Sequence, residues 1–289
     1  ALPAMSGIAS GNAAWYWFAA DGAGRLEVQA VSAPGGSASR AALLARLFDP
    51  DSLPPLVAMA LRQATPVGES RACASGALRR EPASREARLL AGDAALAVDP
   101  LSGHGIYEAV AAAPANIAAI NTWLRGGDWA LVRRFLDERS RETWRRKLLA
   151  AGSFYREAAT GNAQAFWSST AAGYAALATD SAMLHDSMPE LQWRPVLNGD
   201  VIELRRVLIA QRWPRGIWRY GDVDIPELLD CCGQDGLDAE HAAARLQRPR
   251  HAVQDALRWL SDQGALPAGG AGGFKRAEPV GAPVARSSM

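Results

Sequence analysis

The alternation of apolar and polar positions changes character three times along the chain. Near the start, Ala13–Ala20 and Arg25–Ala33 are short β-rich runs separated by Asp21-Gly22-Ala23-Gly24, residues that favour a tight reversal, and the pattern predicts a hairpin. Helical stretches are predicted over Arg40–Phe48 and from Asp51-Ser52, where Pro54-Pro55 occupies the first turn. Thr65–Glu86 carries little periodicity, and Arg88–Ala91 reads as a short buried strand. After Gly103-His104-Gly105, the residues Ile106, Val110, Ala113, Ile117, Ile120 and Leu124 recur in steps of three and four, which predicts a helix with that stripe as its apolar face. Pro114 is expected to kink it. Two further helices are predicted, the Arg-rich Trp129–Ala151 and the aromatic Phe154–Ala178.

The final third returns to mixed signals. Val201–Ile209 reads as a strand, Trp213-Pro214-Arg215-Gly216 as a turn and Ile217–Tyr220 as an extended piece. Three short helices follow, Ile225–Cys232, Asp238–Leu246 and Pro249–Gln263, with Gly264 as the stop signal. Residues 268–289 are mostly Gly, Ala, Pro and Ser and are expected to form a disordered tail.

Composition narrows the function classes. With 289 residues, 49% of them apolar, the chain is long enough for a sizeable core. A formal net charge of +1 supplies no field for gripping nucleic acid or anionic lipid, so neither is an expected partner. The three-helix unit is similar to a winged-helix module, yet residues 222–267 hold nine acidic side chains against four Arg. That balance disfavours DNA and suits a peptide or protein partner. No apolar run reaches the length of a membrane span. The three cysteines, Cys73, Cys231 and Cys232, build neither a disulfide framework nor a metal knuckle, which points to a reducing, cytoplasmic compartment and no metal. His185, His241 and His251 lack ligand-spaced partners and are expected at the surface.

The candidate chemistry lies in Leu89-Leu90-Ala91-Gly92-Asp93-Ala94-Ala95 and Val98-Asp99-Pro100-Leu101-Ser102-Gly103-His104-Gly105-Ile106. This is a strand end, a glycine, a carboxylate, and a glycine-rich turn opening a helix, whose free N–H groups suit a phosphate or the edge of a flavin ring. Asp93 is placed to accept a hydrogen bond from a sugar hydroxyl. His104 carries the side chain that exchanges protons near neutral pH, a candidate catalytic donor.

At these residues the sequence resembles the second FAD motif of flavin-dependent monooxygenases and halogenases of the para-hydroxybenzoate hydroxylase type. The resemblance implies FAD as cofactor, Gly92 and Asp93 at the FAD chain, and Pro100, Gly103, His104, Gly105 and Ile106 beside the pyrophosphate and flavin ring. Trp15-Tyr16-Trp17-Phe18 is similar to the Trp-x-Trp strand of the halogenases, but Ala19-Ala20 stands where Ile-Pro follows in that family. Phe154-Tyr155-Arg156-Glu157 and Phe166-Trp167 resemble a helical feature of the same oxygenases and of flavoproteins that mature peptide-derived quinone cofactors. The family's Gly-x-Gly-x-x-Gly segment, which holds the ADP half of FAD, is absent from these residues, and so is its catalytic Lys.

The expected fold class is therefore α/β: an incomplete FAD-binding doubly wound domain plus a substrate-domain β-sheet, followed by a helical, winged-helix-like C-terminal module. The expected boundaries are 1–87 for the substrate sheet, 88–150 for the FAD-binding part, 151–205 for a helical segment, 206–267 for the small module and 268–289 for the tail. The expected function is hydroxylation of an aromatic substrate, a small molecule or a residue in a peptide, through a flavin C4a-hydroperoxide. NAD(P)H or a flavin reductase would supply electrons, and the chain is expected to be an N-terminally truncated form. The alternatives are a flavin-dependent halogenase and a non-catalytic fragment or adaptor.

Overall fold

The computed structural model describes residues 3–33, 40–49, 53–62, 64–69, 71–81, 84–85, 88–161, 165–180, 189–231, 238–266 and 275–276. Its elements, in chain order, begin with β1 (Met5–Ser10), β2 (Ala14–Ala20), β3 (Leu26–Ser32), α1 (Arg40–Leu47) and α2 (Pro55–Leu61). Short strands follow, β4 (Leu78–Arg79), β5 (Ser84–Arg85), β6 (Arg88–Leu89) and β7 (Leu96–Ala97), then the helices α3 (Gly105–Leu124), α4 (Trp129–Thr160) and α5 (Ala165–Asp180). The C-terminal part holds β8 (Glu190–Asn198), β9 (Val201–Ala210), β10 (Trp213–Ile217), β11 (Arg219–Tyr220) and β12 (Val223–Asp224), then α6 (Ile225–Asp230), α7 (Ala239–Leu246), α8 (Arg250–Asp262) and β13 (Lys275–Arg276). The chain divides into two compact units, each discontinuous in sequence: 1–79 with 96–107 and 144–181, and 80–95 with 108–143 and 182–289.

The first unit is organised by β2. This strand lies between β1 and β3 in an antiparallel sheet, and its alternation sends successive side chains to opposite faces. Ala14, Tyr16 and Phe18 join Leu47, Leu53, Val57 and Ala58 in one core. Trp15 joins Trp144, Leu148, Tyr155, Phe166, Trp167 and Tyr174 in another. Both faces are covered, which is why the run reads as almost continuously apolar. The predicted hairpin forms as expected: the Asp21 carboxylate accepts from Ala23 N–H (2.8 Å) and Arg25 N–H (3.0 Å), and these donors hold its carboxyl below the usual carboxylate range. Tyr16 O–H donates to the Leu47 carbonyl at 2.6 Å, and burial pushes its phenol up.

In the second unit, the buried face of α3 consists of Ala115, Ala118, Ala119 and Thr122. Small side chains there let Val132, Phe135 and Leu136 of α4 and Ile202 of β9 pack closely. Thr122 Oγ1 donates to the Ala118 carbonyl and accepts from Ile202 N–H, each at 2.7 Å, so the helix is tied to the strand. The stripe expected to face the core points the other way: Val110 is 67% exposed, Ile117 56% and Leu124 72%. Periodicity located the helix, but the choice of buried face followed from how closely alanines allow two backbones to approach.

The C-terminal sheet runs β10-β9-β8-β13. Beside it, α6, α7 and α8 enclose Val223, Ile225, Leu228, Val253, Ala256 and Leu260. Asp224 caps α6 by accepting from Glu227 N–H, and Asp238 caps α7 by accepting from Glu240 N–H, both at 2.9 Å. The Trp259 ring lies between Trp213 and Tyr220, with ring centroids 5.0 and 4.9 Å away.

Several expectations need correction. A doubly wound parallel sheet is not present among the described residues: the sheets are antiparallel, apart from the two-residue parallel pairing of β13 with β8. Strands β4 to β7 are two residues long, too short to present a parallel layer. The Arg-rich helix does not stop at Ala151 but runs to Thr160, since Gly152 is tolerated against Ala171 and Tyr174 of α5. The segment 151–205 is not wholly helical, because β8 and the start of β9 lie within it. Arg194 and Pro195 obscured the alternation of β8. Trp213–Gly216 lies in strand β10 rather than in a turn, and the register shifts between Trp213 and Ile217. Gly216 adopts φ 83°, and a side chain there would run into Val207. In the expected tail, Lys275–Arg276 forms β13, and the rest of 268–289 lies outside the described residues, as do His185 and Cys232. His241 and His251 are exposed as expected. No helix among the described residues is long and apolar enough to cross a membrane.

Candidate functional site

The glycine-rich turn belongs to the first unit and is built from Asp99 upward. Pro100 opens a 3-10 turn, Pro100–Ser102, with Asp99 as its cap: Asp99 Oδ1 accepts from Leu101 N–H at 2.8 Å. Ser102 Oγ donates to the Asp99 carbonyl at 2.8 Å and accepts from His104 N–H at 3.3 Å. Gly103 closes the turn at φ 63°, a left-handed conformation that strains any residue with a Cβ. Gly105 then begins α3, whose first-turn N–H groups have no intrahelical acceptor.

Side chains added at Gly103 or Gly105 would meet nothing within 4 Å. Space is therefore open along this stretch of backbone, and His104 and Ile106 are both exposed, the latter by 84%. The His104 ring meets Tyr107 edge-on at 6.2 Å, and Lys147 Nζ stands 5.9 Å from the Tyr107 centroid. Backbone left bare by glycine at a helix start suits the pyrophosphate or ring edge of a flavin dinucleotide.

Under this exposed turn lies a buried carboxylate that the sequence reading did not single out. Asp99 is 5% exposed. Its Oδ2 accepts from Tyr155 O–H of α4 at 3.2 Å and, at shorter range, from Tyr174 O–H of α5. Tyr155 O in turn accepts from Trp15 Nε1–H of β2 at 3.0 Å. Burial, reinforced by the neighbouring Asp99 charge, pushes both phenols well above their ordinary range, so both stay protonated as donors. The hint in sequence was an acidic residue inside the apolar run Leu96-Ala97-Val98-Asp99-Pro100-Leu101. Nothing in the spacing of Tyr155 and Tyr174 shows that both reach it.

The remaining expected site residues belong to the second unit. Gly92 adopts φ 55° and opens a 3-10 turn, Gly92–Ala94, after the extended Ala91. A Cβ there would make only an ordinary contact with Ala109, so backbone conformation is what asks for glycine. Asp93 is exposed on that turn. The structure thus joins Pro100, Gly103, His104, Gly105 and Ile106 in one turn, with Gly92 and Asp93 on a separate one.

No family model matches the chain, and no curated protein matches it. Among solved structures it is similar to QhpG, described as a peptidyl tryptophan dihydroxylase essential for tryptophylquinone cofactor biogenesis. The two are 25% identical with a TM-score of 0.72, over 91% of this chain and 62% of that one. The chain thus spans about three-fifths of the length of that protein. The mixed helix and sheet architecture is common to both.

Proposed function

We propose that this chain is part of an FAD-dependent monooxygenase that hydroxylates an aromatic side chain presented in a peptide. The observation that carries the reading is the likeness, over 91% of the chain, to a hydroxylase of peptidyl tryptophan. The exposed glycine turn at 100–106 supports the choice of cofactor. In this reading the ADP half of FAD is held by a Gly-x-Gly-x-x-Gly segment outside these 289 residues.

Bound FAD supplies the oxygen-transfer chemistry that no amino-acid side chain provides. The chain's own residues bind and orient. Asp93 would accept from a sugar or ribityl hydroxyl, and the N–H groups after Gly103 would hold anionic or ring-edge atoms of the cofactor. His104 gives or takes a proton at the exposed face of the turn. The aromatic core behind β2 keeps water from that side. In the net reaction one atom of O2 enters the ring, the other leaves as water, and NAD(P)H or a flavin reductase supplies the electron pair. The acidic C-terminal module suits a basic stretch of the peptide substrate.

The test is made on the whole protein, purified and inspected for bound flavin, then given NAD(P)H, O2, bromide and a tryptophan-containing peptide. Expected are a yellow protein and a peptide heavier by one or more oxygen atoms. A bromine isotope pattern would replace hydroxylase by halogenase, and a colourless protein would defeat the flavin reading. Asp93→Ala is expected to weaken FAD binding by roughly 1–3 kcal/mol, the scale of a hydrogen bond to a charged acceptor. Unchanged flavin occupancy would remove Asp93 from the site.

A further inference from the structure

Asp99 receives hydrogen bonds only from groups that must donate to it. Leu101 offers a backbone N–H. The Trp15 indole has no acceptor capacity, so its N–H fixes the direction of the next link: Tyr155 oxygen accepts from Trp15 and its hydrogen is left for Asp99. Tyr174 adds a further donor at the same carboxylate oxygen. Helices α4 and α5 and the turn at 99–103 thereby meet at one buried acceptor, and strand β2 of the same unit joins them through Tyr155.

Burying a carboxylate is costly unless several donors compensate for lost water. An apolar residue of similar size would fill the same space without that cost, so packing alone does not account for Asp99. The carboxylate does one thing an apolar side chain cannot: its second oxygen holds the Leu101 N–H, beside the Asp99 main-chain carbonyl that accepts from Ser102 Oγ whatever the side chain. Those two bonds define the path of the backbone into Gly103.

We propose that Asp99, clamped by Tyr155 and Tyr174, is the positioning residue of the cofactor turn, fixing the backbone of residues 100–105 against the aromatic core. The proposal rests on the flavin reading for what the turn holds, but the clamp itself is built from the chain's own groups. Trp15 and the sheet that carries it are coupled to the turn through the same carboxylate, so a disturbance on β2 is transmitted to residues 100–105.

The test compares amide hydrogen exchange of residues 100–106 in the wild-type chain with Asp99→Asn, Tyr155→Phe, Tyr174→Phe and Leu148→Ala. Asp99→Asn places an amide donor where two phenol donors converge. The phenylalanine variants keep each ring and remove only its O–H, so they carry the test if Asp99→Asn fails to fold. Leu148 is fully buried in the same aromatic core, and its truncation lowers stability without touching the carboxylate. The expected result is exchange in 100–106 faster by on the order of tenfold in the clamp variants, and unchanged in Leu148→Ala despite its lower melting temperature. Exchange that stays at the wild-type rate in Tyr155→Phe and Tyr174→Phe, or that rises as much in Leu148→Ala, would overturn the proposal. Flavin content of the whole wild-type protein is read separately, so loss of the flavin reading and loss of the clamp remain distinguishable.

Discussion

The two best-formed cores of the molecule are built on different principles. Behind β2, Trp15, Tyr155, Trp167 and Tyr174 pack as aromatic surface and also direct hydrogen bonds: Trp167 Nε1 reaches the Gly11 carbonyl at 3.0 Å, and the other three lead to Asp99. The C-terminal module encloses Val223, Ile225, Leu228, Val253 and Leu260, and among the described residues none of its polar side chains is buried. Aliphatic contacts are non-directional, so the second core tolerates rearrangement at constant volume. Hydrogen bonds to a buried acceptor allow one geometry, so the first core specifies where its attached turn lies. The difference marks the first core as the one that fixes the glycine turn and the second as a scaffold.

The largest expected effect is in the scaffold. Leu260→Ala should cost about 2–5 kcal/mol, the usual range for a fully buried leucine, measured by denaturant unfolding. Exchange at 100–106 should not change; if it did, the two cores would not be separable. Next, Tyr174→Phe should cost about 1–3 kcal/mol, because it removes one donor from a buried acceptor. A loss near zero would mean that the aromatic core is held by packing alone.

Alkaline pH should separate the cores without mutation. The Tyr155 and Tyr174 phenols are raised from 10.0 in the folded chain. Above that value the folded state therefore keeps protons that the unfolded state releases. Stability is full below about pH 10 and falls as pH rises beyond it. Tyrosinate absorbance from these two rings should appear together with loss of the first core, and their ionisation in a chain that stays folded would contradict the hydrogen-bond arrangement. The smallest effect lies outside both cores. Ile120→Ser on the exposed stripe of α3 should change stability by no more than about 0.5 kcal/mol, and a loss of several times that would show the stripe to be covered.

Much of the local structure was legible because local chemistry decided it. Asp21-Gly22-Ala23-Gly24 turns where its side chain can bind two N–H groups, and Asp224 and Asp238 start helices as their residue type suggests. Gly103 and Gly105 were legible as open backbone, since no other residue leaves that space. What was not legible depends on distant partners. The inner face of α3 was hidden because alanine is a weak apolar signal, yet close helix approach favours it over the larger stripe of Val110, Ile117 and Leu124. Asp99 was passed over for Asp93 because its partners stand 56 and 75 residues away, on two different helices. Strand β8 was missed because Pro195 and neighbouring charges interrupt its period; β13 pairs only with Glu190 and Leu191, so among the described residues Pro195 lies where β8 is paired on one side, with β9.

The sandwich of Trp213, Trp259 and Tyr220 gives the C-terminal module an optical identity of its own. Two indoles 5.0 Å apart with planes 29° from parallel couple their electronic transitions, and the resulting circular-dichroism couplet arises where the sheet and α8 meet. Because Trp213 comes from β10 and Trp259 from α8, the couplet is present only while strand and helix are docked. A single spectrum can therefore report the assembly of this module while the rest of the chain is mutated or titrated.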